Sequence, residues 1–290
     1  MSGTLADEIR SRLGELSPAE RKVARVLLAG YPASVFETVA TIAERASVSA
    51  PTVLRCASRL GYGGFPDLQA ALRTELDART ASPVTLYEAS SPHERRASTG
   101  PESGRAALPG LAVVQQAVEQ TFREVTAHEF DEAVTLLADS RRRVHLVGGR
   151  FTHLLSQFLG LHLMQLRDRV AFVPDGHVER VSALTQLARR DVVVIFDFRR
   201  YEDDKTAIAE LARERGAKVI VFTDPWLSPA TAQADVVLTS QVTSESPYDS
   251  LTPTLALVES LVTAVLARLG STAHDRMKEG EAAARELGLL

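Results

Sequence analysis

Cysteine is nearly missing from this chain of 290 residues. Cys56 stands alone, which excludes an internal disulfide and a cysteine-rich metal site. A packed structural thiol is expected there rather than a reactive one. The seven histidines lack metal-ligand spacing, so neither a metal nor a cofactor is expected. No apolar run approaches the roughly 20 residues that cross a bilayer. The opening stretch MSGTLADEIR also lacks the apolar core of a signal peptide, so the expectation is a cytoplasmic protein without membrane contact. Nucleotide fingerprints of the GxGxxG or GxxxxGK type are absent, and no Ser/His/Asp order supports nucleophilic catalysis. Glu179, Glu245 and Asp249 are open to acid–base work, although structural roles are commoner for such carboxylates. An enzyme is therefore not expected.

What is present fits two domains with proper cores. The content is 45% hydrophobic and 24% charged, ordinary for a globular protein. The net charge of −4 does not point to nucleic acid, but its distribution is uneven. The first eighty residues hold ten Lys/Arg against nine Asp/Glu, and residues 45–66 carry three arginines and no acid. The local field there is positive.

Those first eighty residues read as consecutive short helices. LSPAERKVARVLLAGYP opens with Ser17, Pro18 and Glu20, a capping box with proline at the first helical position, followed by a core stripe of Val23, Val26 and Leu27. FETVATIAERASVS gives a compact helix with Val39, Ile42 and Ala43 inward. A turn of three or four residues then leads into SAPTVLRCASRLG. There Ser49 is a good N-cap, Pro51 fits the first turn, and Gly61 suits a C-cap with positive φ. Val53, Leu54, Ala57 and Leu60 form the expected apolar stripe, leaving Ala50, Thr52, Arg55 and Arg59 outward. Two short helices joined this tightly form a helix-turn-helix. GFPDLQAALRTELDAR adds a last amphipathic helix.

Residues 80–109 are rich in Ser, Pro, Gly, Ala and Arg and read as a flexible linker. Beyond them, two helices precede five short β-branched runs: RVHLVGG, VAFVP, DVVVIFDF, KVIVFTD and DVVLTS. Apolar runs without alternation belong in a parallel sheet covered on both faces. The expected divisions are thus residues 1–79, a linker over 80–109, and a doubly wound α/β domain over 110–290. The apolar helix near residues 251–269 exceeds what one covered face requires, so the second domain is expected to form a homodimer or homotetramer.

In such a sheet, ligands sit beyond the carboxyl ends of the strands. Three loops qualify: GGRFTH (148–153), DFRRYEDD (197–204) and TDPWLSP (223–229). Gly148 and Gly149 let amides approach an anion, with Arg150 beside them, and Thr152 either caps the following helix or binds a ligand oxygen. Arg199, Arg200 and Tyr201 offer guanidinium recognition of phosphate or carboxylate. The alternative is that one arginine pairs with Asp203 or Asp204. Ser244 and Glu245, after the last strand, complete the candidate effector set.

The capping-box helix, the stretch TVATIAERASVSAPTVLRCASRLGYGGFPDLQAAL, a linker and an α/β domain together resemble the RpiR/MurR-type bacterial transcription regulators. These join an N-terminal helix-turn-helix to a sugar isomerase (SIS) domain. The resemblance implies a double-stranded DNA operator and a small-molecule effector as partners. It places Ser49, Ala50, Thr52, Arg55, Ser58 and Arg59 on the recognition-helix surface. RERGAKVIVFTDPWLSPATAQADVVL resembles the end of a SIS sheet. Two loops depart from the family pattern: GGRFTH replaces a Gly-x-Gly-x-Ser type loop, and DFRRYEDD replaces a serine-rich phosphate loop. With arginines in place of those serines, a sugar acid or carboxylate fits as well as a sugar phosphate. A SIS-type phosphosugar isomerase with an accessory helical domain is the alternative from another class.

Overall fold

The computed structural model describes residues 4–80, 82–89 and 110–289. It divides into two compact units, Met1–Leu86 and Tyr87–Leu290.

The first unit is helical. In order come α1 (Leu5–Ser11), α2 (Pro18–Ala29), a 3-10 turn (Ala33–Phe36), α3 (Val39–Arg45), α4 (Ala50–Arg59) and α5 (Phe65–Thr80). The capping box at Ser17 and Glu20 forms as expected, each side chain accepting from the other residue's amide. Ile9, Val23, Leu27, Ile42, Val53, Ala57, Leu60 and Leu68 meet in one core. Two helix ends set the turns that follow α3 and α4. After α3, Ser47 takes φ +52° while the Val48 amide donates to the Ala43 carbonyl at 2.9 Å. After α4, Gly61 takes φ +92° while the Tyr62 amide donates to Ala57 at 3.1 Å, the paired bonding of a Schellman end. Gly61 is needed there because a side chain at that φ is strained.

The helix α6 (Pro83–Ala89) lies within the stretch expected to be a linker. Serine and alanine at 82–89 did not prevent a short helix, whose start is closed by Ser82 Oγ accepting from the Thr85 amide. The rest of the expected linker, residues 90–109, lies outside the described residues.

The second unit opens with α7 (Leu111–Glu124) and α8 (Ala127–Ala138) and then alternates: β1 (Arg143–Gly148), α9 (His153–Leu166), β2 (Val170–Phe172), α10 (His177–Thr185), β3 (Asp191–Phe196), α11 (Asp203–Glu214), β4 (Lys218–Thr223), a 3-10 turn (Pro229–Gln233) and β5 (Val236–Thr239). It closes with α12 (Thr252–Leu269) and α13 (Ser271–Glu286). The five strands are parallel in the order β2-β1-β3-β4-β5, the doubly wound α/β arrangement the sequence implied.

Successive strand residues serve two cores. Val144, Leu146, Val192, Val194, Phe196, Ile220 and Phe222 pack against α8, α9 and α12. Val147, Val193, Ile195, Val219 and Val221 face α10 and α11. Both faces of β3 are buried, which explains its unbroken apolar run. The helix α12 is long and apolar enough to cross a membrane, but Leu257, Val258, Leu261 and Val265 are fully buried in the first core. Its hydrophobicity is that of a core helix.

Candidate functional site

The helix α4 and the sheet edge each carry a candidate surface. On α4 the buried residues are Thr52, Val53, Cys56, Ala57 and Leu60, a stripe at helical spacing. The expected stripe is thereby rotated by about one residue. Leu54 is 45% exposed, and Thr52, expected to face outward, is only 5% exposed. Thr52 is turned inward by its contacts: its hydroxyl lies 3.0 Å from the Ser49 hydroxyl and accepts a hydrogen bond from Arg55 Nη2 at 3.1 Å. Ser49 therefore marks the start of α4, but its hydroxyl caps no amide. The exposed face carries Ser49, Ala50, Leu54, Arg55, Ser58 and Arg59. Beneath it, burial pushes the Cys56 thiol up to about 12, so the thiol is inert at neutral pH.

In the second unit the strand order reverses between β1 and β3, the position where doubly wound sheets open a crevice. An open cleft of about 760 Å³ lies there, bounded by the β1–α9 loop, the β3–α11 loop and residues 248–251. Gly148 lets α9 start directly behind the strand, since a Cβ there would lie 2.5 Å from the His153 nitrogen. Thr152 pins this loop to the next strand, its Oγ1 accepting from the Gly149 amide and donating to the Phe196 carbonyl, both at 2.8 Å. The hydroxyl does not cap α9; it closes the loop itself.

Of the nine residues expected to bind an effector, Gly149, Arg150, Thr152, Arg199 and Arg200 line the cleft. Gly148, Tyr201, Ser244 and Glu245 do not. Tyr201 turns its hydroxyl back to Asp224 at 2.7 Å. Ser244 and Glu245 fall short because the Ser250 amide donates to Val242, closing an excursion whose far end, Tyr248 and Asp249, reaches the cleft instead. The third expected loop, 223–229, supplies no cleft wall and braces it from behind. There Asp224, fully buried, accepts from the Arg199 amide, the Trp226 amide and the Tyr201 hydroxyl.

The charges of the cleft are paired internally. Arg199 forms a two-point pair with Asp249, Nε donating to Oδ2 at 2.8 Å and Nη2 contacting Oδ1, with side chains only 10% and 12% exposed. The arginines thus pair with Asp249 rather than with Asp203 or Asp204. Asp204 instead receives Arg180 at 2.7 Å and Lys205 at 2.7 Å. Lys205, 2% exposed, also holds Glu202 at 2.9 Å. Burial raises the Glu202 and Asp204 carboxyls, but Lys205 outweighs it and keeps both below their usual range. Glu202 Oε1 in turn accepts from the Arg150 amide at 3.0 Å. On the floor of the cleft, burial lifts Asp197 to about 6 against the hydrogen bond it accepts from Ser228.

The parts played by Asp197, Glu202 and Asp224 were missed in the sequence, although all lie in the loops singled out there. Asp197 and Asp224 each follow directly on the last residue of a strand, a position that faces the carboxyl edge of the sheet. The cleft lining offers amides, guanidiniums and carboxylates but contains no histidine, cysteine or lysine. Such a lining offers hydrogen-bond donors and acceptors to a polar or anionic molecule.

Two family models match in this order. Residues 3–79 match the helix-turn-helix domain of the rpiR family, and residues 136–264 match the SIS domain. The chain is 28% identical over 270 residues to the HTH-type transcriptional regulator HexR of Pseudomonas aeruginosa, covering 92% of this chain and 90% of that one. It is 25% identical over 286 residues to HexR of Escherichia coli, covering 97% and 94%. Among solved structures it shares its fold with the sugar isomerase domain of an RpiR transcription factor from Sphaerobacter thermophilus (TM-score 0.55, 23% identity, 59% of this chain and 95% of that one). It also resembles the Vibrio vulnificus NanR protein complexed with ManNAc-6P (TM-score 0.53, 18% identity, 98% and 99%). The chain thus joins an rpiR-type helix-turn-helix to a SIS domain and is similar over nearly its whole length to HTH-type transcriptional regulators.

Proposed function

We propose that the protein binds operator DNA through α4 and that an anionic metabolite in the sheet-edge cleft alters that binding. The observation that carries the first half is the exposed face of α4, where Arg55 and Arg59 stand with no acidic residue on the same helix. Arginine forks at a helix surface suit guanine edges and phosphates in the major groove. In this reading residues 1–79 bind DNA, residues 80–109 connect, and residues 110–290 bind effector and form the dimer. Two recognition helices then meet an operator as a near-palindrome, with half-sites about one turn of DNA or a multiple apart.

The second half rests on the cleft at the strand-order reversal and its guanidiniums. A sugar acid, a carboxylate or a sugar phosphate meets that description, and the protein is not an isomerase in this reading. Proton shuttling in an isomerase needs a free acid–base pair, whereas Glu202 and Asp249 are each engaged in ion pairs and Asp197 accepts from Ser228 and the Glu202 amide.

Selection of bound duplexes from a random-sequence pool tests the DNA reading directly. The retained duplexes are expected to share a two-fold motif, and affinity for it is expected to fall steeply with salt. A pool that stays without any shared motif defeats the proposal. The effector half is tested on those duplexes by mobility shift with a panel of sugar phosphates, sugar acids and small carboxylates.

A further inference from the structure

The two strongest anion donors of the cleft, the Arg150 amide and the Arg199 guanidinium, are already held by carboxylates of the chain itself, Glu202 and Asp249. These two carboxylates are held very differently. Glu202 is held by the buried ammonium of Lys205, and moving it would leave that charge with Asp204 as its one remaining carboxylate among the described residues, against a desolvation cost. Asp249, among the described residues, has no cation but Arg199 and, at 4.0 Å, Arg200. It ends an excursion whose remaining hydrogen bonds are local, between Ser244, Ser246 and Tyr248. Both sides of that excursion are anchored. Gln241 is tied to α7 through Thr121 and Glu124, Ser240 meets Thr254 of α12 at 2.6 Å, and Ser250 is tied to Val242.

Arg200 is the second sign. Its backbone takes φ +65°, a conformation that side chains rarely adopt, and its Nε is buried without a hydrogen-bond partner. Strain and an unmet donor gathered at one cleft mark a place where an acceptor is missing. Asp249 does not supply it, and its own Oδ1 is buried without a hydrogen-bond partner.

We propose that a carboxylate of the effector takes the place of Asp249 on Arg199 and Arg200, so that the domain senses an exchange of carboxylates rather than the filling of an empty cleft. This rests on the regulatory reading above. The pocket is already shaped around a planar carboxylate that Arg199 Nε donates to, and a ligand carboxylate reaching Arg200 Nε as well makes one more bond than Asp249 makes. The released Asp249 frees its excursion, which runs through Leu251 directly into α12. The ligand thereby prefers the state in which that segment has moved, as any ligand that shifts an equilibrium must.

Chemical rescue tests the exchange with the full-length protein. Asp249→Ala takes from the Arg199 guanidinium the carboxylate it is paired with. Its melting temperature is expected to rise by roughly 3–5 °C more in sodium acetate than in sodium chloride of equal ionic strength, while the parent shows no such difference. Arg199→Ala/Asp249→Ala is expected to lose the rescue. Equal responses of Asp249→Ala and the parent overturn the exchange, and rescue by sodium phosphate but not acetate overturns the carboxylate assignment. Should Asp249→Ala fail to fold, Asp249→Asn keeps the shape without the charge and is read in the same way. On duplexes selected by the parent, Asp249→Ala is expected to shift affinity at least about five-fold, and an unchanged affinity counts against the coupling to α12. If the parent retains no DNA motif, the regulatory reading fails, while the acetate rescue still decides the exchange.

Discussion

The face of α4 and the cleft at the sheet edge are both built around arginines, and they treat them in opposite ways. Arg55 and Arg59 are exposed, with no ion-pair partner among the described residues. Arg199 is buried in a two-point pair, and every carboxylate around it accepts from a neighbour. A surface for a long polyanion needs charge in the open on a rigid helix, because the ligand brings many phosphates and no single one must be matched. A surface for one small anion needs its charges desolvated, and desolvated charges must be paired while they wait. On the proposed function the cleft responds by rearrangement, while the helix face binds as it stands.

The largest effect is expected from breaking the cleft's support. Asp224→Ala removes the acceptor for two amides and a phenol hydroxyl in a fully buried place. A loss of about 3–5 kcal/mol is expected for the second unit. Denaturant unfolding should detect it, with the transition of residues 4–80 unmoved; a loss shared by both units would erase the contrast.

Asp197 sharpens the comparison through pH. Its folded carboxyl titrates at about 6 against an ordinary 3.8, because burial penalises the charge. A raised acid contributes stability that is complete below pH 4 and is lost as pH rises toward 6. Roughly 2–3 kcal/mol rides on that window. Asp197→Asn is expected to flatten the fall in stability between about pH 4 and pH 6. A slope identical to the parent's would mean that the floor of the cleft is wetter than its burial implies.

On α4 the effects fall on binding rather than folding. Arg55→Ala is expected to weaken operator binding by roughly 1–3 kcal/mol with the second unit intact. Mobility shifts with selected duplexes would detect it, and unchanged affinity removes Arg55 from the interface. Smaller still is Thr52→Val, which deletes the hydroxyl that Arg55 Nη2 donates to. About 1 kcal/mol of operator affinity should go, and nothing further should be lost when Arg55 is already alanine. Thr52→Ser should behave as the parent. An additive double mutant would return Thr52 to a purely packing role.

Much of this architecture was legible in the chain. The strands announced themselves because a doubly covered sheet demands unbroken apolar runs, as in DVVVIF of β3. The two helices around Ser47 were legible from caps and spacing. The rotation of α4 was not, because threonine is short enough to be buried once its hydroxyl finds partners, as Thr52 does with Ser49 and Arg55. In the cleft, the loops were found from strand ends alone, but their pairings were not. Arg199 and Asp249 are fifty positions apart, and nothing local in either segment encodes which carboxylate reaches the guanidinium. Asp203 and Asp204, nearer in sequence, belong instead to the start of α11, where Asp204 is drawn to Lys205 and Arg180.

The dependence of the β3–α11 loop on Asp224 carries a consequence for the order in which the molecule is made. The Arg199 amide and the Tyr201 hydroxyl find their acceptor only when the end of β4 has left the ribosome, and Asp249 follows some twenty-five residues later. Chains fold from the N-terminus as they emerge. The helices that carry Arg55 and Arg59 have a complete core by residue 72. A nascent chain is thus able to fold its first unit long before the cleft of the second exists, and on the proposed function the first is in that interval under no control by the second.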